Sequence, residues 1–211
     1  NPDVKGAGGI SAFFVPRETP GVSVGLPEKK MGQHGAHVCD VIFDDAKVPA
    51  ECLIGDREGV GFKTAMKVLD RGRLHISAVC TGVAERLIDE MTRYAAERKQ
   101  FGQAIGDFQL IQAMLADSKM EAYAARCMIL DAAKKRDAGE NVSVEGSCCK
   151  LFASEMVGRV ADRAVQVFGG AGYMRETRVE QLMRDAKILQ IYAGTDEMQI
   201  VAIAKDLLGR A

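Results

Sequence analysis

The sequence predicts a mainly α protein: an up-down four-helix bundle over residues 56–211, preceded by a partial β domain over residues 1–55. Three observations carry this. All five prolines lie before residue 50, so none interrupts a helix beyond it. After residue 60, apolar and small residues recur at steps of three and four, the spacing of a helix face. The first 55 residues instead hold short β-favouring runs bounded by Pro, Gly or Asp. Of the 211 residues, 47% are hydrophobic and 27% charged, with a formal net charge of −1. That balance excludes a disordered chain and a nucleic-acid binder that works through bulk positive charge. Eight Phe, four Tyr and no Trp argue against an aromatic-lined groove for single strands. No apolar run is long enough to span a bilayer, and no signal peptide is expected.

Taken in order, residues 10–16, 21–25 and 39–43 read as strands. Three short strands without a covering helix make a marginal sheet. Together with a start lacking Met, this reads as a truncated chain. The first helix is predicted from about Val60 to Lys99, with Leu69, Ile76, Val83, Leu87, Met91 and Tyr94 as its seam and basic residues at its end. The second begins at Asp107 as N-cap and ends at Gly139. Its seam is Phe108, Ile111, Leu115, Ser118, Ala122, Ala125, Ile129 and Ala132. The third runs from about Ser143 to Phe168 along Ser147, Leu151, Ser154, Gly158, Ala161, Val165 and Phe168, a seam rich in small residues that admits a close neighbour. A shorter helix precedes Tyr192, and a last one follows Gly194 and Thr195. Short connections make neighbouring helices antiparallel. The six cysteines lack a C-x-x-C pair and read as reduced thiols of a cytoplasmic (bacterial) or mitochondrial-matrix compartment.

Several segments have chemistry beside a plainer reading. His34, His37 and Cys39 form H-x-x-H-x-C, but no second ligand pair follows, so no metal site is expected. The glycine-rich run 55–62 opens a helix where phosphate could be cradled; it lacks a P-loop's Lys-Ser/Thr, and a linker is the better reading. Arg98 to Gly102 follows a helix end, where Arg can hold a phosphate and Phe can lie against a flat ring. Residues 166–173 place three glycines in four positions, more than a helix cap needs, which permits close backbone approach to a ligand. Residues 191–197 form a third helix boundary, whose free N–H groups suit an anion or a carbonyl.

Together these segments resemble the acyl-CoA dehydrogenase flavoprotein family. The motifs run in family order: K-M-G-x-x-G (30–35), F-D-D-x-x-V-P (43–49), L-I-G-x-x-x-G-x-G-F (53–62), L-D-R-G-R (69–73), E-R-K-Q-F-G (97–102), F-Q (108–109), Q-x-F-G-G-x-G-Y (166–173), L-M-R-D-A-K (182–187) and I-Y-A-G-T (191–195). The resemblance implies the end of a middle β domain plus a C-terminal helical bundle. It implies FAD as cofactor, and α,β-dehydrogenation of an acyl-CoA thioester to the trans-2-enoyl-CoA. It also implies an electron-transfer partner protein and a homo-oligomer, tetramer or dimer.

By this resemblance Arg98, Gln100, Phe101, Ile105 and Gln109 contact the cofactor's pyrophosphate and adenine side, on a neighbouring subunit's FAD. Gln166, Gly169 and Gly170 line its adenosine end, and Thr195 and Glu197 its phosphate and ribitol. Asp70, Arg73, Tyr192 and Gly194 face the acyl-CoA. Arg184 and Asp185 are expected to pair within the bundle. The chain departs from the family at the general base: the two usual glutamate positions hold Ala193 and Gly72. The catalytic base is therefore unassigned, with Asp70, Asp196 or a residue outside this chain as candidates. The alternative is a non-catalytic or altered-reaction flavin- and CoA-binding subunit.

Overall fold

The computed structural model describes residues 1–209. It contains two compact units, Asn1–Leu69 and a second from Asp70 onward. In the first, β1 (Val22–Val24) and β2 (Val41–Phe43) pair antiparallel, with Val22 opposite Phe43 and Val24 opposite Val41. The strand expected over residues 10–16 does not form. Phe13 makes one isolated antiparallel bridge to Leu53, flanked by Phe14 N–H to Cys52 O and Ile54 N–H to Ala12 O. The partner segment curls into a 3₁₀ turn at Ala50–Cys52, so it is extended for too short a stretch to extend a ladder. The glycine-rich run serves this packing. A Cβ on Gly61 would lie 2.5 Å from the Ser11 carbonyl carbon, and Gly59 N–H donates to Ser11 Oγ at 3.0 Å. Those glycines admit backbone against backbone.

Helix α1 (Gly61–Glu97) begins in the first unit and enters the second at Asp70. A two-stranded hairpin follows, β3 (Lys99–Gln100) with β4 (Gln103–Ala104). Then come α2 (Gln109–Asp137), α3 (Ser143–Phe168), α4 (Arg178–Lys187) and α5 (Asp196–Leu207). Side-chain bonds give the directions. Glu121 meets Arg159 and Arg163, and Lys135 meets Glu145, so α2 and α3 are antiparallel. Asp70 meets Ser143, and Tyr94 meets Phe168, so α1 and α3 are parallel. Asp196 of α5 lies beside Ser154, and the charge of Asp206 reaches Cys148, so α5 returns antiparallel to α3. Helices α1, α2, α3 and α5 form the up-down bundle, and α4 lies in the last connection.

The core is built on α3, whose Ala153, Met156, Val157, Val160, Ala161 and Ala164 are fully buried against Cys80, Ala84, Leu87 and Met91 of α1. Of the six residues expected in the α1 seam, two are buried. Leu87 and Met91 are buried, but Ile76, Val83 and Tyr94 are only half-buried beside it. Ser77, Cys80 and Ala84 point inward instead, because small side chains let the helices approach more closely than Ile or Val would. The α2 start also differs from expectation. Asp107 closes a 3₁₀ turn (Ile105–Asp107), and α2 starts after Phe108 with no side-chain cap. Gly139, at φ 85°, does follow the end of α2. The polar members of the seams all have partners, within their own helices and, for Ser147 and Ser154, beyond them. Ser118 and Ser147 donate to the carbonyl four residues back, at 2.7 and 3.0 Å, and Ser154 Oγ lies 2.7 Å from both such a carbonyl and Asp196 Oδ1, so burial leaves no hydroxyl unpaired.

Candidate functional site

The hairpin after α1 is a two-residue turn with Phe101 at φ 54° and Gly102 at φ 84°. Two left-handed residues in sequence match the right-handed twist of a tight hairpin. Glycine adopts this freely; for an aromatic residue it is strained. Phe101 stands at the tip, 93% exposed, its ring edge-on to Phe108 at 6.2 Å. The segment is thus a folded hairpin rather than a simple helix cap.

Beneath it opens a cleft of about 450 Å³ lined by Tyr94, Arg98, Gln100, Ile105, Val167, Phe168, Gly169, Gly170 and Ala171. Five of the ten cofactor residues expected from the sequence therefore share one wall: Arg98, Gln100, Ile105, Gly169 and Gly170. Tyr94 and Phe168 stack at 4.0 Å with planes 12° apart, adding a flat apolar wall that sequence reasoning had assigned to the core. A Cβ on Gly169 or Gly170 would meet nothing within 4 Å, whereas one on Gly172 would lie 2.6 Å from the Val165 carbonyl oxygen. The first two glycines leave room for a ligand, and the third packs against its own helix. An exposed guanidinium, open glycine backbone and a flat apolar wall fit a cofactor with a diphosphate and an aromatic ring.

The other expected cofactor residues lie outside this cleft. Gln109 is exposed at the first position of α2, and Gln166 is exposed on the last turn of α3. Thr195 caps α5, its Oγ1 accepting from Met198 N–H at 3.3 Å. Glu197 is exposed in the first turn of α5. Its own backbone N–H, then the Thr195 hydroxyl, hold its carboxyl below the usual range.

Asp70 and Arg73 meet each other: Arg73 Nη1 donates to Asp70 Oδ1 at 2.9 Å and reaches Ser147 Oγ at 3.2 Å. Ser143 Oγ donates to the same carboxylate oxygen at 3.1 Å. Tyr192 is half-buried against the bundle core. Ala193 is in the left-handed region at φ 56°, followed by Gly194 at φ 85°. Of the candidate bases, Asp196 is taken up in the interior. Its Oδ1 accepts from Lys150 Nζ at 2.6 Å and lies 2.7 Å from Ser154 Oγ. Lys150 is fully buried, and sequence reasoning passed over it for its neighbour Leu151. A lysine on the small-residue face of α3 was the available signal.

Burial pushes the Cys80 thiol up to about 12, with the Lys150 and Asp196 charges acting on it in opposite directions. His34 Nε2 lies 2.9 Å from the Lys30 carbonyl. Among the described residues no group of three or more His, Cys, Asp or Glu is placed to hold a metal ion, and no helix is long and apolar enough to cross a membrane. Arg184 of the L-M-R-D-A-K segment pairs with Glu180, one turn earlier, at 2.8 Å.

Residues 59–208 match the family model for the acyl-CoA dehydrogenase C-terminal domain. The probable acyl-CoA dehydrogenase YngJ of Bacillus subtilis is 45% identical over 199 residues, which are 94% of this chain and 52% of that protein. An acryloyl-CoA reductase (NADH) of Anaerotignum propionicum is 44% identical over 206 residues, 98% of this chain and 52% of that protein. The solved structure of butyryl-CoA dehydrogenase from Megasphaera elsdenii superposes with a TM-score of 0.94 at 44% identity, covering 97% of this chain and 53% of that one. The chain thus spans about half the length of the curated relatives it matches. By family model, relatives and fold together, the chain belongs to the acyl-CoA dehydrogenase family.

Proposed function

We propose that this chain contributes cofactor and substrate contacts to an FAD-dependent oxidoreductase acting on the CH–CH bond next to an acyl-CoA thioester. The supporting observation is the cleft in which Arg98, Gln100, Ile105, Gly169 and Gly170 converge beside the stacked Tyr94 and Phe168. When bound, FAD supplies the two-electron acceptor for this chemistry. Arg98 would neutralise diphosphate charge, and Gly169 and Gly170 would let the backbone approach it. Phe101, Gln109 and Gln166 would extend the contact from outside the cleft. Thr195 and Glu197 would meet the cofactor at the start of α5. Tyr192 and Gly194 would border the thioester, with Asp70 and Arg73 toward the acyl-CoA. The enzyme would pass electrons to a partner protein and assemble as a homo-oligomer, in a bacterial cytoplasm or mitochondrial matrix.

Ala193 supports a second reading, a subunit that binds flavin and acyl-CoA without efficient α-proton abstraction, or one that works in the reductive direction. An alanine takes no proton. Asp196 is committed to Lys150, and Asp70 accepts from both Arg73 and Ser143.

Anaerobic titration of the FAD-loaded protein with a panel of acyl-CoAs separates the readings. Bleaching of the flavin band supports dehydrogenation; a band that shifts without bleaching supports the second reading. A protein that retains no flavin removes both. If only the base is lacking, Ala193→Glu should speed bleaching by about 10²–10⁴-fold. An unchanged rate would show that residue 193 does not face the substrate.

A further inference from the structure

The loop of residues 191–195 carries two consecutive left-handed residues, Ala193 and Gly194. Such conformations persist where the surroundings over-determine them. Here one ammonium group does so from both ends. Lys150 Nζ donates to the Gln190 carbonyl at 3.3 Å, just before the loop, and to Asp196 Oδ1 at 2.6 Å, just after it. The Ser154 hydroxyl lies 2.7 Å from both Asp196 Oδ1 and the Lys150 carbonyl. Its one proton favours the charged acceptor. Gln199 holds the middle, with Nε2 donating to the Gly194 and Thr195 carbonyls at 3.0 and 3.3 Å. The Lys150 side chain is fully out of water, and a charge so placed is retained only with close partners.

We propose that Lys150 is the positioning residue of this loop. Its buried ammonium clamps the residue before and the residue after, and so fixes where Tyr192, Ala193 and Gly194 stand toward an acyl thioester. The proposal rests on the function given above. A merely structural lysine would lower stability throughout the bundle when replaced. A positioning lysine would loosen this loop selectively.

The test uses the FAD-loaded full-length protein and a double variant, Lys150→Met with Asp196→Asn. Removing both charges avoids leaving one buried without its partner. Ser154→Ala, which keeps the ion pair, is the milder variant. Two readings are taken: amide hydrogen exchange at residues 191–195 against the α3 core, and the acyl-CoA dissociation constant from flavin spectral perturbation. The double variant should exchange about tenfold faster in the loop alone and bind acyl-CoA about tenfold more weakly, with about threefold changes for Ser154→Ala. Unchanged loop exchange overturns the clamp. Equal acceleration through α3 reduces Lys150 to a structural role and also overturns it. A looser loop with unchanged acyl-CoA affinity overturns the positioning of substrate. If the double variant does not fold, Ser154→Ala decides by the same readings. A wild-type protein that binds no acyl-CoA sinks the proposed function instead, while loop exchange still judges the clamp.

Discussion

At the scale of single residues, the three glycines of residues 169–172 have different roles. They look alike as a motif, and their crowding was legible in the sequence as a sign of close approach. What each one admits was not, because that depends on which atoms face the missing Cβ. Gly172→Ala would push a methyl to within 2.6 Å of the Val165 carbonyl oxygen and 2.8 Å of Phe168 Cβ. It should cost about 1–3 kcal/mol of stability, as overpacking does. Gly170→Ala meets nothing within 4 Å and should leave the melting temperature unchanged while lowering flavin retention. Thermal melts and flavin content on both variants check this pair. Full flavin retention in Gly170→Ala would remove the glycine backbone from the proposed cofactor contact.

At the scale of elements, α3 organises the bundle, and its ends and faces are fixed by partners from other helices. Glu121 of α2 accepts from Arg159 Nε and Arg163 Nη2, both at 2.8 Å. Burial would raise its carboxyl, but the Arg163 and Arg159 hydrogen bonds outweigh burial and hold it below the ordinary 4.5. A depressed carboxyl stabilises the fold above its unfolded value and loses that contribution as pH falls through the folded one. Glu121→Gln should therefore cost about 1–2 kcal/mol near neutrality, discounted because Arg159 is partly exposed. The gap from wild type should narrow as pH drops below 4.5. Chemical denaturation at several pH values checks it; a gap that widens in acid would reverse the assigned sign. The sequence spacing found the inward stripe of α2 and α3 through its small residues: Ser118, Ala122, Ala125, Ala132, Ser147, Ser154 and Ala161 are buried, while the larger seam members, such as Ile111, Leu115, Leu151 and Val165, are half-buried. It misjudged the α1 face because a spacing rule cannot rank two adjacent stripes. The choice of Ser77, Cys80 and Ala84 over Ile76 and Val83 is made by how closely the neighbouring helices approach.

At the scale of the whole molecule, all six cysteines are free, and their reactivity should report the bundle's opening. Cys127 is exposed on α2, while Cys80 is fully buried and its thiol is pushed from 9.0 up to about 12. At pH 8 a thiol reagent should modify Cys127 in the first phase and reach Cys80 only through unfolding. A raised thiol value also sets a pH window. The contribution from keeping Cys80 neutral is intact below 9.0 and lost as pH rises toward the folded value. Mass mapping of the modified sites checks the order; Cys80 labelling as fast as Cys127 would show that the bundle opens locally there.

Fold class and family were legible in the order of residues alone. Helical period, the confinement of proline to the first 50 residues and the order of nine motifs are local facts, written in neighbouring residues. Tertiary structure decided which polar groups have work in the interior. Lys150 and Asp196 are 46 residues apart, and neither spacing nor motif connects them. Alone, Asp196 reads as a helix-start charge or a candidate base; with a buried ammonium at 2.6 Å it becomes an internal anchor. The strand that failed over residues 10–16 and the hairpin at Phe101 follow the same rule. Each depends on whether a partner segment is present and extended, a property of the folded chain that no local pattern contains.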